Sequence, residues 1–506
     1  MNDPKNLHSF FKDMEALLGK EHVNVSEDTI RRYGENTMPG GDVRPGGLLF
    51  PSSTDEVQKI VQAANRHKVH VFPISTGNNQ GLGMKSPPQP GQVIIDLGRR
   101  MNRILEINDT LCYAVVEPGV SYQRLHDELV RRGNKMQLDT TSGPPEGGIL
   151  GNAMDKGAGY TPYFDHFGMS CGMEIVLGNG EILRTGDGGL PDSKTFHVSK
   201  YAYGPFLDGL FVQSNYGIVT KMGIWLMPKP PVTRSFHFVY DQIDDLAEIV
   251  DLVRPLKLSN FVPTLFRVAN GLYLTGNEAV NPEFAASNGA KALSEAGRKA
   301  LQHKHGLGEW VASGAFYGAS VEAVAPMIER VKGMFLKSGK ARYIDHDQAL
   351  TLPPLRVAID AFNGVPTAGE LGLLKWRPGG GNIWFVPGTP MIGSTANELQ
   401  KLGKQITEDH GLEYKVMNVC SGRFARGLQV ITFNRANPEE SARADRCYKT
   451  LAAEFAKRGH TVGRAPNQYY GLHMDLMMPV VRDTCNAIKH AVDPNGVLAP
   501  GKYGIG

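Results

Sequence analysis

Six glycines between residues 141 and 159, at positions 143, 147, 148, 151, 157 and 159, restrict this chain more than any other feature. They are too dense for a helix and lack the fixed period of a repeat. Glycine admits backbone with φ > 0 and lets the main chain approach a ligand with no Cβ in the way. An apolar run over 173–177 follows, then Gly178-Asn179-Gly180, a hairpin turn signal, and a returning strand over 181–185. A glycine-lined loop feeding a β-hairpin, with Asp165 and His166 at the junction, suits a large flat cofactor. A long structural loop is the alternative on composition alone.

A second ligand-shaped stretch lies upstream. Residues 69–74 read as a short buried strand that runs into Pro73-Ile74-Ser75-Thr76-Gly77-Asn78-Asn79-Gln80-Gly81-Leu82-Gly83. The backbone N–H groups of such a loop cradle a pyrophosphate without a lysine. It is neither a Walker A loop nor a G-x-G-x-x-G opening a helix, so the P-loop and Rossmann readings fail. Around it, apolar spacing predicts helices over 6–18 and 54–67, the second with Thr54 as N-cap, and strands over 93–96, 104–108 and 113–117. Ser121 caps a helix through residue 129. Pro228, Pro230 and Pro231 halt the strand over 218–227. Beyond residue 232, strands over 236–240 and 314–318 alternate with helices over 244–253, 321–336 and 441–458, an α+β texture.

With 506 residues there is chain for roughly two to four domains. A net charge of +3 and the absence of a Lys/Arg block give no case for nucleic acid. No apolar run approaches the ~18 residues of a membrane span. Cys112, Cys171, Cys420, Cys447 and Cys485 are scattered without a C-x-x-C pair, which argues against structural zinc or a disulfide framework. No metal is expected. The N-terminus lacks a secretory layout, so cytoplasm is the expected compartment, or periplasm if the chain is paired with a cytochrome subunit.

Three long motifs carry a family resemblance: GNAMDKGAGYTPYFDHFGMSCGMEIVLGNGEILRTG, YGPFLDGLFVQSNYGIVTKMGIWLMPKPP and the terminal AVDPNGVLAPGKYGI. Together they resemble the para-cresol methylhydroxylase and vanillyl-alcohol oxidase flavoprotein family, and within it the methylhydroxylase flavoprotein subunit most. The resemblance implies an α+β, two-domain FAD-binding fold. Residues 1–230 with 470–506 would bind FAD, and 231–469 would form an α+β cap over the flavin ring. It implies FAD contacts from Pro73, Ser75, Thr76, Gly77, Asn78, Asn79, Gln80 and Gly81 in the pyrophosphate loop. Further contacts would come from Gly148, Gly151, Asn152, Gly157, Tyr163, Gly217 and Ile218, with Lys502 near the flavin N1/C2=O. Asp165 matches an acidic residue beside the flavin N5, and Arg464 an arginine that binds phenolate; both are the expected catalytic residues. His166 is expected to be structural.

The chain departs from that pattern where the family tethers its flavin and binds its phenol. The tethering tyrosine falls at Leu374 and the oxidases' histidine at Asn382, neither able to make the link, so FAD is expected to be non-covalent. The two phenolate-binding tyrosines fall at Leu82 and Gly463. Leu82, Leu374, Asn382, Met417, Gly463 and Tyr470 are the expected substrate pocket, with Tyr469 and Tyr470 available to stand in for the missing phenols. The implied reaction removes hydride from a benzylic carbon of a para-substituted phenol or lignin-derived aromatic, with water adding to a quinone methide. The alternatives are an aryl-alcohol oxidase or dehydrogenase, and a flavin-binding partner subunit that has lost catalysis. By analogy the acceptor is a cytochrome c and the assembly a homodimer or larger.

Overall fold

The computed structural model describes residues 2–506. The helices Pro4–Leu18 and Thr54–His67 bury Phe10, Met14, Val57, Ile60 and Val61 against a four-stranded sheet. In it, Gly47–Leu49, Val93–Asp96 and Val71–Ile74 run parallel, and Val23–Asn24 adds an antiparallel edge. The N-cap of the second helix is Ser53, whose hydroxyl accepts from the Glu56 N–H at 3.2 Å. Thr54 is instead the first helical residue and turns its hydroxyl to Glu174 and Thr220.

A second, antiparallel sheet has the order Ile104–Asn108, Tyr113–Val116, Gly217–Trp225, Ser170–Leu177, Ile182–Arg184. Its last pair is the hairpin that the Gly178-Asn179-Gly180 signal predicts, with Gly180 at φ +87. The helix Pro479–Val492 lies on this sheet through Cys485, Ile488 and Val492. Lys489 Nζ pins it by donating to the carbonyls of Asn215 and Leu498, both at 2.7 Å.

From Val232 onward strands pair differently. Eight strands between Val232–Tyr240 and Phe424–Phe433 make one antiparallel sheet, and among the described residues none of them pairs with a strand before Pro230. The helices Leu246–Leu258 and Val321–Phe335 cover one face around Phe236, Phe238, Phe266 and Trp310. The helix Pro438–Lys457 packs on Ile383, Phe385, Ile431 and Phe433. The opposite face, through Trp384, Val419, Arg426 and Leu428, looks across a cleft at the glycine-rich loops. No helix among the described residues is long and apolar enough to cross a membrane.

Candidate functional site

The cleft between the loops and the large sheet is the site. One wall is the loop after Val71–Ile74: Pro73, Ser75, Thr76, Gly77, Asn78, Asn79, Gln80 and Leu82 all line it. The N–H groups of Thr76 to Gln80 find no acceptor in the protein among the described residues, which leaves a run of donors for a ligand. The facing wall holds Gly148, Gly151, Asn152 and Gly157. A Cβ on Gly148 would come within 2.7 Å of Ser75 Oγ, and one on Gly151 closer still. Only bare backbone fits there. Orphaned backbone donors opposite a side-chain-free wall fit a dinucleotide's phosphates.

Two polar clusters line the rest of the cleft, and each joins to an arginine one of the two carboxylates that line it among the described residues. In the first, Arg464 Nε pairs with Asp155, which also accepts from the Tyr503 hydroxyl at 3.0 Å. Tyr470 packs on Tyr503 with ring centroids 4.7 Å apart. Burial works against the Arg464 charge, yet Asp155 more than offsets it and raises the guanidinium pKa. Burial raises the phenol pKa of Tyr470 and Tyr503 far above the usual value, so both are neutral hydroxyls. Lys502 also lines the cleft; burial lowers its pKa, and its Nζ lies 5.6 Å from the Phe72 ring centroid.

In the second cluster Glu370 pairs with Arg267 and accepts from the Tyr273 hydroxyl at 3.0 Å. The Arg267 guanidinium lies 4.8 Å from the Tyr160 ring centroid. Burial pushes the Tyr160 phenol up to about 12, and that hydroxyl meets Ser142 Oγ. Leu374, Trp384, Val419 and Leu428 form the apolar wall beside these groups.

Several expected site residues lie elsewhere. Asp165 is exposed and outside the lining; its carboxylate accepts from the Gly168 N–H at 2.9 Å, so a local turn uses it. Gly81, at φ +77, presses its backbone on Trp384 and Asn382 and does not reach the cleft. Tyr163 stands off the lining, in a turn where its N–H donates to Thr161 Oγ1. Gly217 and Ile218 belong to a buried strand: a Cβ at 217 would strike Ile175, and Ile218 packs with Val61 and Val176.

Asn382 is buried behind the loop, with its side-chain N–H donating to the Gly380 carbonyl and its backbone carbonyl accepting from the Thr37 hydroxyl. Met417 sits one layer back, its Sδ accepting from Arg267 Nε at 3.1 Å. Gly463 is held behind the lining by Val386 and Gln213. Tyr469 is buried against Tyr448 at 3.9 Å, so only Tyr470 of that pair reaches the site.

His166 is structural: its ring nitrogens contact Asn152, Tyr122 and Asp139 at 2.6–3.1 Å. Asp155, Tyr160, Tyr273, Glu370, Arg426 and Tyr503 were not singled out in the sequence. Tyr273, Glu370 and Arg426 lie far apart in an unremarkable stretch, and only the large sheet brings them together.

Fold and cleft define an FAD-binding oxidoreductase with a β-sheet cap. A family described as FAD binding domain matches residues 45–186, the span of the loop and the hairpin. The chain is 39% identical over 493 residues to the 4-cresol dehydrogenase (hydroxylating) flavoprotein subunit of Pseudomonas putida, covering 97% of this chain and 94% of that one. A crystal structure of p-cresol methylhydroxylase with substrate bound is similar at TM-score 0.97 and 37% identity, covering 100% of this chain and 98% of that one. At 29% identity the chain also resembles 1'-carboxy-chondrochloren decarboxylase of Chondromyces crocatus, covering 96% and 95% of the two chains. The protein binds FAD and belongs to the para-cresol methylhydroxylase flavoprotein family.

Proposed function

We propose that this protein oxidises the benzylic carbon of a para-substituted phenol or related lignin-derived aromatic and adds water to the product. The observation that carries this reading is the apolar slot of Leu374, Trp384, Val419 and Leu428, which shares the cleft with two arginine-neutralised carboxylates. The loop Thr76 to Gln80 and the wall at Gly148, Gly151 and Asn152 would hold the FAD phosphates, with Lys502 toward the flavin ring. When bound, the flavin supplies a two-electron acceptor for the hydride that leaves the benzylic carbon.

The chain's own residues do the rest. Arg464 spends only Nε on Asp155, so its two Nη groups are free to hold a phenolate together with the Tyr470 hydroxyl. Holding that charge favours hydride loss, because the phenolate electrons move into the ring and leave a neutral quinone methide. Water then adds to the benzylic carbon: a C–O bond forms, one water O–H bond breaks, and Glu370 takes that proton. The ring regains its aromatic electrons and the oxygen is left as a phenolate, which takes back from solvent the proton the phenol gave up on binding. Tyr273 and Arg267 orient the Glu370 carboxylate for this step. Leu82 stands where the family has a phenol, which makes the slot roomier and favours substrates bulkier than cresol.

FAD is held without a covalent bond, since Leu374 faces the cleft, Asn382 does not, and no cysteine or histidine lines it among the described residues. Electrons leave to a cytochrome c or dye in preference to oxygen. Anaerobic mixing with 4-alkylphenols, aryl alcohols and their O-methyl ethers tests the reading by loss of flavin colour. Equal bleaching by phenols and O-methyl ethers would defeat it.

A further inference from the structure

Among the described residues six charged side chains line the cleft: Lys156, Arg426, Arg464 and Lys502 against Asp155 and Glu370. Asp155 answers Arg464, and Arg267 already answers Glu370 from behind. Lys502 stands with Phe72 and Tyr503, on the side of the FAD-binding loop. That leaves Lys156 and Arg426. Arg426 projects from the strand Phe424–Phe433 opposite Val419, which lies opposite Arg267, so the three residues form one row across the cleft face. Its Nη1 donates to the Lys156 carbonyl at 3.0 Å. Neither cation has a carboxylate within ion-pair distance among the described residues.

Two features hold this pair in place. Lys156 sits at φ +52, a left-handed conformation that side chains other than glycine adopt only when their surroundings impose it. Arg426 lies over Gly463, where a Cβ would be 3.2 Å from its Nε; the absence of a side chain at 463 makes room for the guanidinium. Both charges are disfavoured as they stand. Lys156 is exposed to solvent, yet partial burial and then Arg426 lower its pKa, while Asp155 raises it. Burial likewise depresses Arg426; the Asp165 carboxylate, beyond ion-pair distance, opposes that, and Arg464 adds to it. Arg426 is thus a half-buried guanidinium on the cleft with no ion pair of its own, and Lys156 an exposed ammonium at the cleft's edge, so both are available to an anionic ligand. The N–H donors that the Arg426 guanidinium does not spend on the Lys156 carbonyl form a planar fork, which matches the two oxygens of a carboxylate better than the single oxygen of a phenolate.

Resting on the functional reading above, we propose that Arg426 and Lys156 form a subsite for a carboxylate on the substrate's side chain. The substrate class is then an aromatic acid and not a neutral alkylphenol.

The test compares 4-hydroxyphenylacetate, 3-(4-hydroxyphenyl)propanoate and 4-(4-hydroxyphenyl)butanoate with their methyl esters in the flavin-loaded protein. Apparent Kd comes from the concentration dependence of flavin reduction, and from calorimetry for ligands that do not reduce the flavin. At least one acid is expected to bind about 10- to 100-fold more tightly than its ester, the range for a hydrogen-bonded charge. Arg426→Gln should bring that ratio to near one, and Arg426→Lys should keep part of it. If Arg426→Gln does not load flavin, Lys156→Gln and Arg426→Lys carry the comparison.

Equal affinity for acid and ester throughout the wild-type series overturns the subsite. So does an Arg426→Gln variant that weakens 4-ethylphenol as much as the acids, since the guanidinium would then serve the phenolate. If 4-ethylphenol bleaches the flavin but acids have no advantage, the oxidation stands and only the subsite fails. If O-methylated acids bind through Arg426 while no phenol bleaches the flavin, the subsite stands and the phenol reading fails.

Discussion

Replacing Glu370 by Gln should separate what this carboxylate does for stability from what it does for chemistry. Arg267 and Glu370 are each only 4% exposed at the side chain, and each is the other's sole opposite charge among the described residues. In Glu370→Gln the Tyr273 hydroxyl keeps an acceptor, but Arg267 loses its counter-ion and retains only the Met417 sulfur and the Tyr160 ring. Breaking a buried pair from one side costs about 3–5 kcal/mol. Unfolding entropy near ~2.1 cal/mol/K per residue, over 506 residues, amounts to about 1 kcal/mol/K, so Tm should fall by about 3–5 °C.

Arg267→Met should cost a similar amount for the mirror-image reason. The double variant removes both charges and should recover most of the loss, to within about 1–2 kcal/mol of wild type. Chemistry should not recover with it. Flavin bleaching by a 4-alkylphenol should change little in Glu370→Gln, while hydroxylated product should fall by ~10²–10⁴-fold. The assays are differential scanning calorimetry of the four proteins and stopped-flow bleaching with product analysis. Losses in the double variant that simply add would refute the buried pair. Hydroxylated product at the wild-type rate in Glu370→Gln would refute the proton acceptor.

Acid precipitation should release yellow flavin into the supernatant, and colour remaining with the pellet would point to one of the five tyrosines on the cleft as a covalent anchor. Asp165→Ala should leave flavin reduction within about threefold of wild type, well short of the ~10²-fold minimum for a catalytic acid–base group, because its carboxylate is spent on the Gly168 N–H. Lys415 is buried, with Nζ on Thr432 Oγ1 at 2.6 Å, and burial lowers its pKa to about 7. A lysine whose folded pKa is depressed contributes stability above its unfolded pKa of ~10.4 and loses it as pH falls through about 7. The Tm of wild type should therefore rise relative to Lys415→Met between pH 7 and pH 10; a difference independent of pH would mean that Lys415 stays charged.

The amino-acid sequence by itself determined the elements and the cofactor loops. Glycine density at 143–159 and the strand-then-polar loop at 69–83 are local signals, since backbone freedom and turn chemistry act over a few residues. Apolar spacing placed most helices and strands to within a few residues, and missed by one at Ser53 because adjacent Ser and Thr can both cap, with Ser the stronger of the two. The long motifs carried the family.

Which residues meet across the cleft was decided only by the tertiary structure. Asp165 sits in the right motif, and its carboxylate accepts from a local turn outside the cleft lining, while Glu370, from a stretch with no motif, is the cleft carboxylate that Arg267 and Tyr273 hold. Arg426 faces the cleft because strand register sets it opposite Val419 and the bare backbone at Gly463 leaves it room. Pairing across a sheet and the charge balance of a cleft depend on residues hundreds of positions apart. Local sequence cannot encode which of their charges find a partner.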